Sequence, residues 1–284
     1  MTKGLLGLGT CSGVGCEEHM ADKRHVMMVP KDEDPYRLHD GTYLSFRDIP
    51  SLFSKLVDEE KSFKVAIVYG SGVWERGQHA GWATDLLYVP EIICELVRWA
   101  EDNRIKITIK SRFDIDILPD YIQDPKVKEA CEHMLKDFNI ISVGDGRVNA
   151  FYAKIMRYYQ KNEKCKVKAI EPNTGGIVSY AGVRRRVYPL DTEADCGLLT
   201  MLVNPWSEGN RVIIICAGNT AAGTVAALKL LYLMLCDRRY RENNRYDERI
   251  PAKVVDAILY EYYKNDINWR WGMYIGDVRF VVRE

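Results

Sequence analysis

No apolar stretch of this 284-residue chain approaches the roughly 20 residues that a helix needs to cross a bilayer. The opening MTKGLLGLGTCSGVGCEEH has a single lysine and a short, glycine-broken apolar piece. No small-x-small pattern follows it, so it makes a poor secretory signal, and a cytoplasmic location is expected. An excess of either charge is also missing: Lys+Arg and Asp+Glu stand at 40 each. General nucleic-acid or membrane-surface binding needs a basic surplus and is not expected, although one local basic patch remains compatible with the balance.

The cysteines lack the spacing of a disulfide framework. Cys11, Cys16, Cys94, Cys131, Cys165, Cys196, Cys216 and Cys236 are scattered. Cys94, Cys131, Cys216 and Cys236 fall inside apolar segments, as free thiols acting as small hydrophobes do. Two phosphate-binding signatures are absent as well. No G-x-G-x-x-G sits between a strand and a helix, and no Gly-Lys-Ser/Thr closes a Walker A loop.

What is present is alternation. Residues 1–45 read as an irregular amino-terminal arm with glycines early and a charged, proline-containing middle. Residues 46–284 read as one domain. A short helix is predicted from Asp48, with Leu52, Phe53, Leu56 and Val57 on one face. Phe63 to Tyr69 is continuously apolar, as a strand covered on both faces must be. Pro90 suits the first turn of the next helix, whose stripe is Ile93, Leu96, Val97 and Ala100; a strand follows at Ile105 to Ile109.

Asp124-Pro125 predicts a sharp helix start, with Val127, Cys131, Met134, Leu135 and Phe138 facing inward. Strand Asn139 to Val143 and a helix from about Asn149 come next. Residues 164–204 change character: short β-like pieces at Gly176 to Ala181, Arg184 to Tyr188 and Leu198 to Val203 predict an antiparallel insertion. Val212 to Ala217 returns to the buried-strand pattern, and Ala221 to Leu235 is a helix apolar almost all round. A last helix is predicted from Pro251, bearing Val254, Val255, Ile258 and Tyr262, before an edge strand at Val278 to Val282. Together these predict a Rossmann-like, three-layer α/β fold with a mostly parallel sheet and a small antiparallel insertion.

Three predicted strand ends carry glycine and polar residues: Gly70-Ser71-Gly72, Gly144-Asp145-Gly146 with Asn149, and Gly218-Asn219-Thr220. In open α/β sheets ligands bind beyond the carboxyl ends of the strands, and helix N-termini there favour anions. The candidate ligand-binding residues are therefore Gly70, Ser71, Gly72, Arg76, Gly144, Gly146, Asn149, Asn219 and Thr220. The plain alternative is that glycine makes the turns and that Asn149 and Thr220 are helix caps.

The stretch Ser71 to Asp85 is the richest in chemistry, with Trp74, Glu75, Arg76, His79, Trp82 and Thr84. Rings to stack on, an arginine for an anion and a histidine beside carboxylates would suit a nucleotide or sugar. A long surface loop anchored by its tryptophans explains the same residues. Were the chain an enzyme, transfer or hydrolysis at a phosphate or glycosidic centre would fit, with Glu75, His79 or Asp145 as acid or base. Cys11, Cys16, His19 and His25 are zinc-ligand types at an uncommon spacing, so no metal site is expected. Arg184-Arg185-Arg186 is short enough to be a solvated turn, although it could reach an anionic ligand.

Some segments resemble archaeal S-layer-like domain proteins. Asp137 to Gly144 with Val148-Asn149 is similar to that family's V-x-G-G-P-x-V-N region, with Asp145 replacing the second glycine and no proline following. Leu202-Val203-Asn204-Pro205-Trp206, Arg211 to Gly218, Gly223-Thr224 and Ala226-Ala227 resemble its NPW…VLLVAG…GT-x-AA segment. Pro251 to Val255 and Asp277 to Val281 resemble its closing part. The resemblance covers about the second half of the chain and implies an α/β fold and a structural or surface-associated module. Two functions thus stand side by side. One is a small-molecule-binding protein for a nucleotide-like or other anionic ligand, with homo-oligomers possible and any cofactor unknown; the other is a structural or interaction module without catalysis.

Overall fold

The computed structural model describes residues 34–46, 48–71, 88–160, 167–170, 177–181, 184–188, 194–218, 221–236, 252–258 and 277–280. Its main sheet uses β1 (Ser62–Tyr69), β2 (Lys106–Phe113), β3 (Asn139–Val143), β7 (Ala194–Val203), β8 (Val212–Gly218), β9 (Ala252–Ile258) and β10 (Asp277–Phe280). The strand order is β10-β9-β7-β8-β3-β1-β2. Neighbours among β2, β1, β3 and β8 run parallel, and β7, β9 and β10 extend the sheet by antiparallel pairing. Three short strands, β4 (Lys168–Ile170), β5 (Ile177–Ala181) and β6 (Arg184–Tyr188), form a separate antiparallel sheet. The fold is α/β and Rossmann-like.

Strand periodicity makes the layers. Val65, Ile67, Ile141, Val143, Ile214 and Cys216 belong to one core, shared with α1 (Ile49–Lys55), α2 (Val89–Asp102) and α6 (Ala221–Cys236). Their sequence neighbours Ala66, Val68, Ile140, Ile213 and Ile215 join the opposite core, under α4 (Pro125–Asp137) and α5 (Ala150–Gln160). Register lines these sets up, with Ile67 opposite Ile141 and Ile141 opposite Ile214. Each such aliphatic side chain taken from water contributes about 1.5–3 kcal/mol before entropy is counted. The described part of α6 is buried nearly all round, and it packs on β7, β8, β9 and α2. No helix among the described residues is long and apolar enough to cross a membrane.

Caps set the helix starts. Asp48 accepts the Ser51 amide at 3.1 Å. Asp124 accepts the Lys126 and Val127 amides at 2.8 and 3.4 Å, with proline in the first turn of α4.

The structure departs from the sequence reading in four places. Leu198 to Val203 lies in β7 of the main sheet, not in the insertion; Leu198, Leu199, Met201 and Leu202 are fully buried, because β7 has a strand on either side and core on both faces. The segment after Pro251 is strand β9, not a helix. Its β-branched residues suit a strand, and the free edge of β7 supplies seven residues of register that override the helical spacing. Body residues also begin before position 46: Leu38, Leu44 and Phe46 are buried in the core, and the Val203 amide donates to the Pro35 carbonyl at 2.8 Å. Val127 is exposed in the first turn of α4, ahead of the helix's buried residues Cys131, Met134 and Leu135.

Candidate functional site

In chain order β1 is followed by β2 on one side, while β3 is followed in this sheet by β7 and β8 on the other. The carboxyl ends of β1 and β3 therefore flank a topological switch point, where such sheets usually hold ligands. Gly70, Gly144 and Gly218 stand at the ends of three adjacent parallel strands, on one edge of the sheet.

At this switch point the chain's own carboxylate, carboxamide and backbone groups bond to one another. A Cβ on Gly70 would lie 2.1 Å from the Val148 carbonyl oxygen, so the end of β1 touches the backbone that follows β3. Asp114, in α3 (Asp114–Ile117), is fully buried. Its Oδ1 accepts the Ser71 and Ile115 amides, both at 2.9 Å, and its Oδ2 accepts the Ala150 amide at 2.5 Å. Ala150 is the first residue of α5, so an internal carboxylate occupies the place where a helix N-terminus would receive a ligand anion.

Asn149 is likewise fully buried. Its Nδ2 donates to the Val143 carbonyl at 2.8 Å, to Ser142 Oγ at 3.3 Å and to the Val68 carbonyl at 3.4 Å. Its Oδ1 accepts the Tyr152 amide at 3.0 Å, so one side chain caps α5 and clamps β1 to β3. Gly144 has φ +96°, a backbone state that side chains resist. Asp145 forms a two-point ion pair with Arg147, accepting Nε at 2.7 Å, and also accepts the Arg147 amide at 2.9 Å. Gly146 sits on the same turn, half-buried. Ser71 Oγ is buried without a hydrogen-bond partner.

Gly72, Glu75, Arg76, His79, Asn219 and Thr220 lie outside the described residues, as do Trp74, Trp82, Thr84, Asp85 and the group Cys11, Cys16, His19 and His25. Among the described residues no cluster of three or more His, Cys, Asp or Glu side chains is placed to hold a metal ion.

The sequence reading missed a second feature of the same edge. A groove of about 1160 Å³ runs between β2 and α4 and opens at the ends of β1 and β2. Its charged lining is Lys110, Arg112, Lys126 and Asp116. Register explains the cations: Lys110 and Arg112 pair with Ala66 and Val68, so they share the α4 side of the sheet. On that side α4 leaves the edge strand β2 uncovered. Ile107 and Ile109, on the alternate face, pack against the α2 side. Lys110 Nζ stands 5.0 Å from the centre of the Phe138 ring.

Burial pushes the Tyr69 phenol up from its ordinary pKa, although a bond to Ser111 works the other way. Cys131, on the groove floor, is also raised, chiefly by burial. Its thiol donates to the Asp116 carbonyl at 3.1 Å. Neither residue is set up as a ready nucleophile.

Comparison of the chain with protein-family models, with curated proteins and with solved structures finds no match.

Proposed function

We propose that this protein binds a small anionic ligand in the groove between β2 and α4. The observation that carries the reading is the groove's charge: three cations, Lys110, Arg112 and Lys126, against one carboxylate, Asp116, in a chain with no net charge. Lysines on an edge strand also discourage edge-to-edge pairing of sheets. Lys126 comes from the helix forming the other wall, however, and guarding an edge does not require it. The groove supplies cations and rings rather than an acid–base pair, so the reading is of binding, with no catalytic residue assigned. Free thiols at Cys94, Cys131, Cys216 and Cys236 support a reducing, cytoplasmic setting.

One observation favours the competing structural-module reading. The side chains of Asp114 and Asn149 at the switch point are committed to internal bonds, and fold-building of this kind needs no ligand. Calorimetric titration with inorganic pyrophosphate decides between them. Binding that weakens at least tenfold in Lys110→Glu and Arg112→Glu, with unchanged melting curves, is expected. Absence of binding, or equal affinity in both variants, would leave the structural module as the better account.

A further inference from the structure

The inward stripe of α4 runs further than its cover. Cys131, Met134 and Leu135 are buried, yet Val127, one turn ahead of Cys131 on the same stripe, is 48% exposed. Ala130, three residues on, is exposed too. Both line the groove, together with half-buried Ile122 just before the helix. A single exposed valine is ordinary; an aliphatic strip on a concave surface marks a place that something covers. The cations adjoin this strip. Lys126 precedes Val127 and stands one turn before Ala130, on the helix wall. Lys110 and Arg112 face it from β2, because their register partners Ala66 and Val68 belong to the core under α4. Burial raises the Cys131 thiol and the charges of Arg112 and Lys110 oppose that rise, which sets both cations across the groove from α4. None of the three cations makes an ion pair among the described residues.

We propose that the groove takes an aliphatic phosphate ester, its single hydrocarbon chain laid along Ile122, Val127 and Ala130 and its diphosphate head held by Lys110, Arg112 and Lys126. This rests on the anionic-ligand reading and narrows it. An inorganic anion uses the cations and leaves the aliphatic strip in water. A hydrocarbon alone leaves three cations facing one carboxylate, Asp116. A chain with a multiply charged head meets both needs. The chain takes apolar surface out of water, and the head accepts charge-assisted hydrogen bonds from the ammonium and guanidinium groups. Lys110 and Arg112 are two residues apart on one strand face, about 6.6 Å along the strand, wide enough to engage two phosphates at once. The groove, at about 1160 Å³, is large for a lone oxyanion. Its concave form suits one molecule rather than the flat surface of a bilayer.

The test titrates the full chain with geranyl diphosphate, inorganic pyrophosphate and geraniol, and repeats each titration with Val127→Asn and Lys126→Ala. Both side chains are exposed, so the variants should keep the wild-type melting temperature. Geranyl diphosphate is expected to bind at least tenfold tighter than pyrophosphate, and geraniol more weakly than either. Val127→Asn should weaken geranyl diphosphate at least fivefold and leave pyrophosphate unchanged, whereas Lys126→Ala should weaken both. Equal affinity for geranyl diphosphate and pyrophosphate in the wild type would overturn the tail subsite while leaving the anionic reading intact. Loss of pyrophosphate binding in Val127→Asn would also overturn it, because the valine would then be shaping the groove. Binding to phosphatidylglycerol vesicles that Val127→Asn abolishes would overturn it too, by assigning the strip to a bilayer. Failure of geranyl diphosphate and pyrophosphate alike to bind would remove the anionic reading itself, and the tail subsite with it.

Discussion

The carboxylate of Asp114 and the amide of Ala150 are 36 residues apart in sequence and 2.5 Å apart in space. Asp114 ends the β2 unit and Ala150 begins α5, so this bond joins two βα units across the switch point. With the Ser71 amide on its other oxygen, Asp114 also fixes the exit of β1. A buried carboxylate is costly, and three backbone amides offset that cost here.

Asp114→Asn is therefore expected to destabilise the fold by about 1–3 kcal/mol, since an amide NH₂ replaces one acceptor and leaves a buried N–H unpaired. Urea denaturation of the variant measures this. A midpoint equal to that of the wild type would show that the three bonds contribute nothing.

Asn149 looks in the sequence like a cap that serine could replace, available for a ligand. The structure makes it a donor to three acceptors as well as a cap. Asn149→Ser should lose about 1–3 kcal/mol from the carbonyls left without a donor. Asn149→Asp separates the roles: a simple cap tolerates aspartate, whereas the clamp does worse with it than with serine, because it sets a carboxylate oxygen against the Val143 carbonyl. Thermal melts of the two variants give the order.

Gly70→Ala is expected to cost about 2 kcal/mol or more, because the added methyl meets backbone rather than a movable side chain. A stability equal to that of the wild type, read from denaturant unfolding, would mean that β1 and the Val148 segment separate freely.

Stability should fall in alkaline solution. The Cys216 thiol is wholly buried and is pushed far above its ordinary value of 9.0, and Cys131, Tyr69 and Tyr88 are raised in the same direction by burial. The native state thus keeps protons that the unfolded chain has released. This contribution is fully present below the ordinary values and is lost as pH rises past them. One such thiol accounts for about 1.4 kcal/mol per pH unit once past its unfolded value. Denaturation midpoints from pH 7 to 10 should decline, and Cys216→Ala should decline less steeply. In the same native protein at pH 8, iodoacetamide should label the exposed Cys94 well before Cys131 or Cys216.

Much of the fold was legible because burial on both faces leaves a plain trace. Val65 to Val68, Asn139 to Val143 and Val212 to Ala217 needed no partner information to be read as parallel strands. Beyond Pro251 the same reasoning failed, because Val254, Val255 and Ile258 fit a helix stripe as well as a strand. Only the open edge of β7 chooses between them, and local spacing does not contain that edge.

The strand-end turns were legible in the sequence, but what closes them was not. Glycines marked the ends of three adjacent strands, whereas the partner that ties two of those ends together, Asp114, lies in an unremarkable Phe-Asp-Ile-Asp segment and reaches Ala150 only through tertiary structure. The NPW segment shows the same limit. Asn204 Nδ2 donates to the Leu135 and Phe138 carbonyls at the end of α4, and Trp206 stacks against Phe151 at 5.5 Å. Residues that look like a signature are fasteners. The groove's strand cations escaped notice because Lys110 and Arg112 on a half-exposed strand look like an ordinary solvated face until the groove beside α4 is seen.

Hydrogen–deuterium exchange of the full chain, with and without saturating inorganic tripolyphosphate, tests most directly whether the groove rather than the switch point receives the ligand. Slower exchange confined to peptides spanning residues 106–131 is the result expected. Slower exchange centred on residues 144–153, with residues 106–131 unchanged, would contradict it and return the site to the glycine turns.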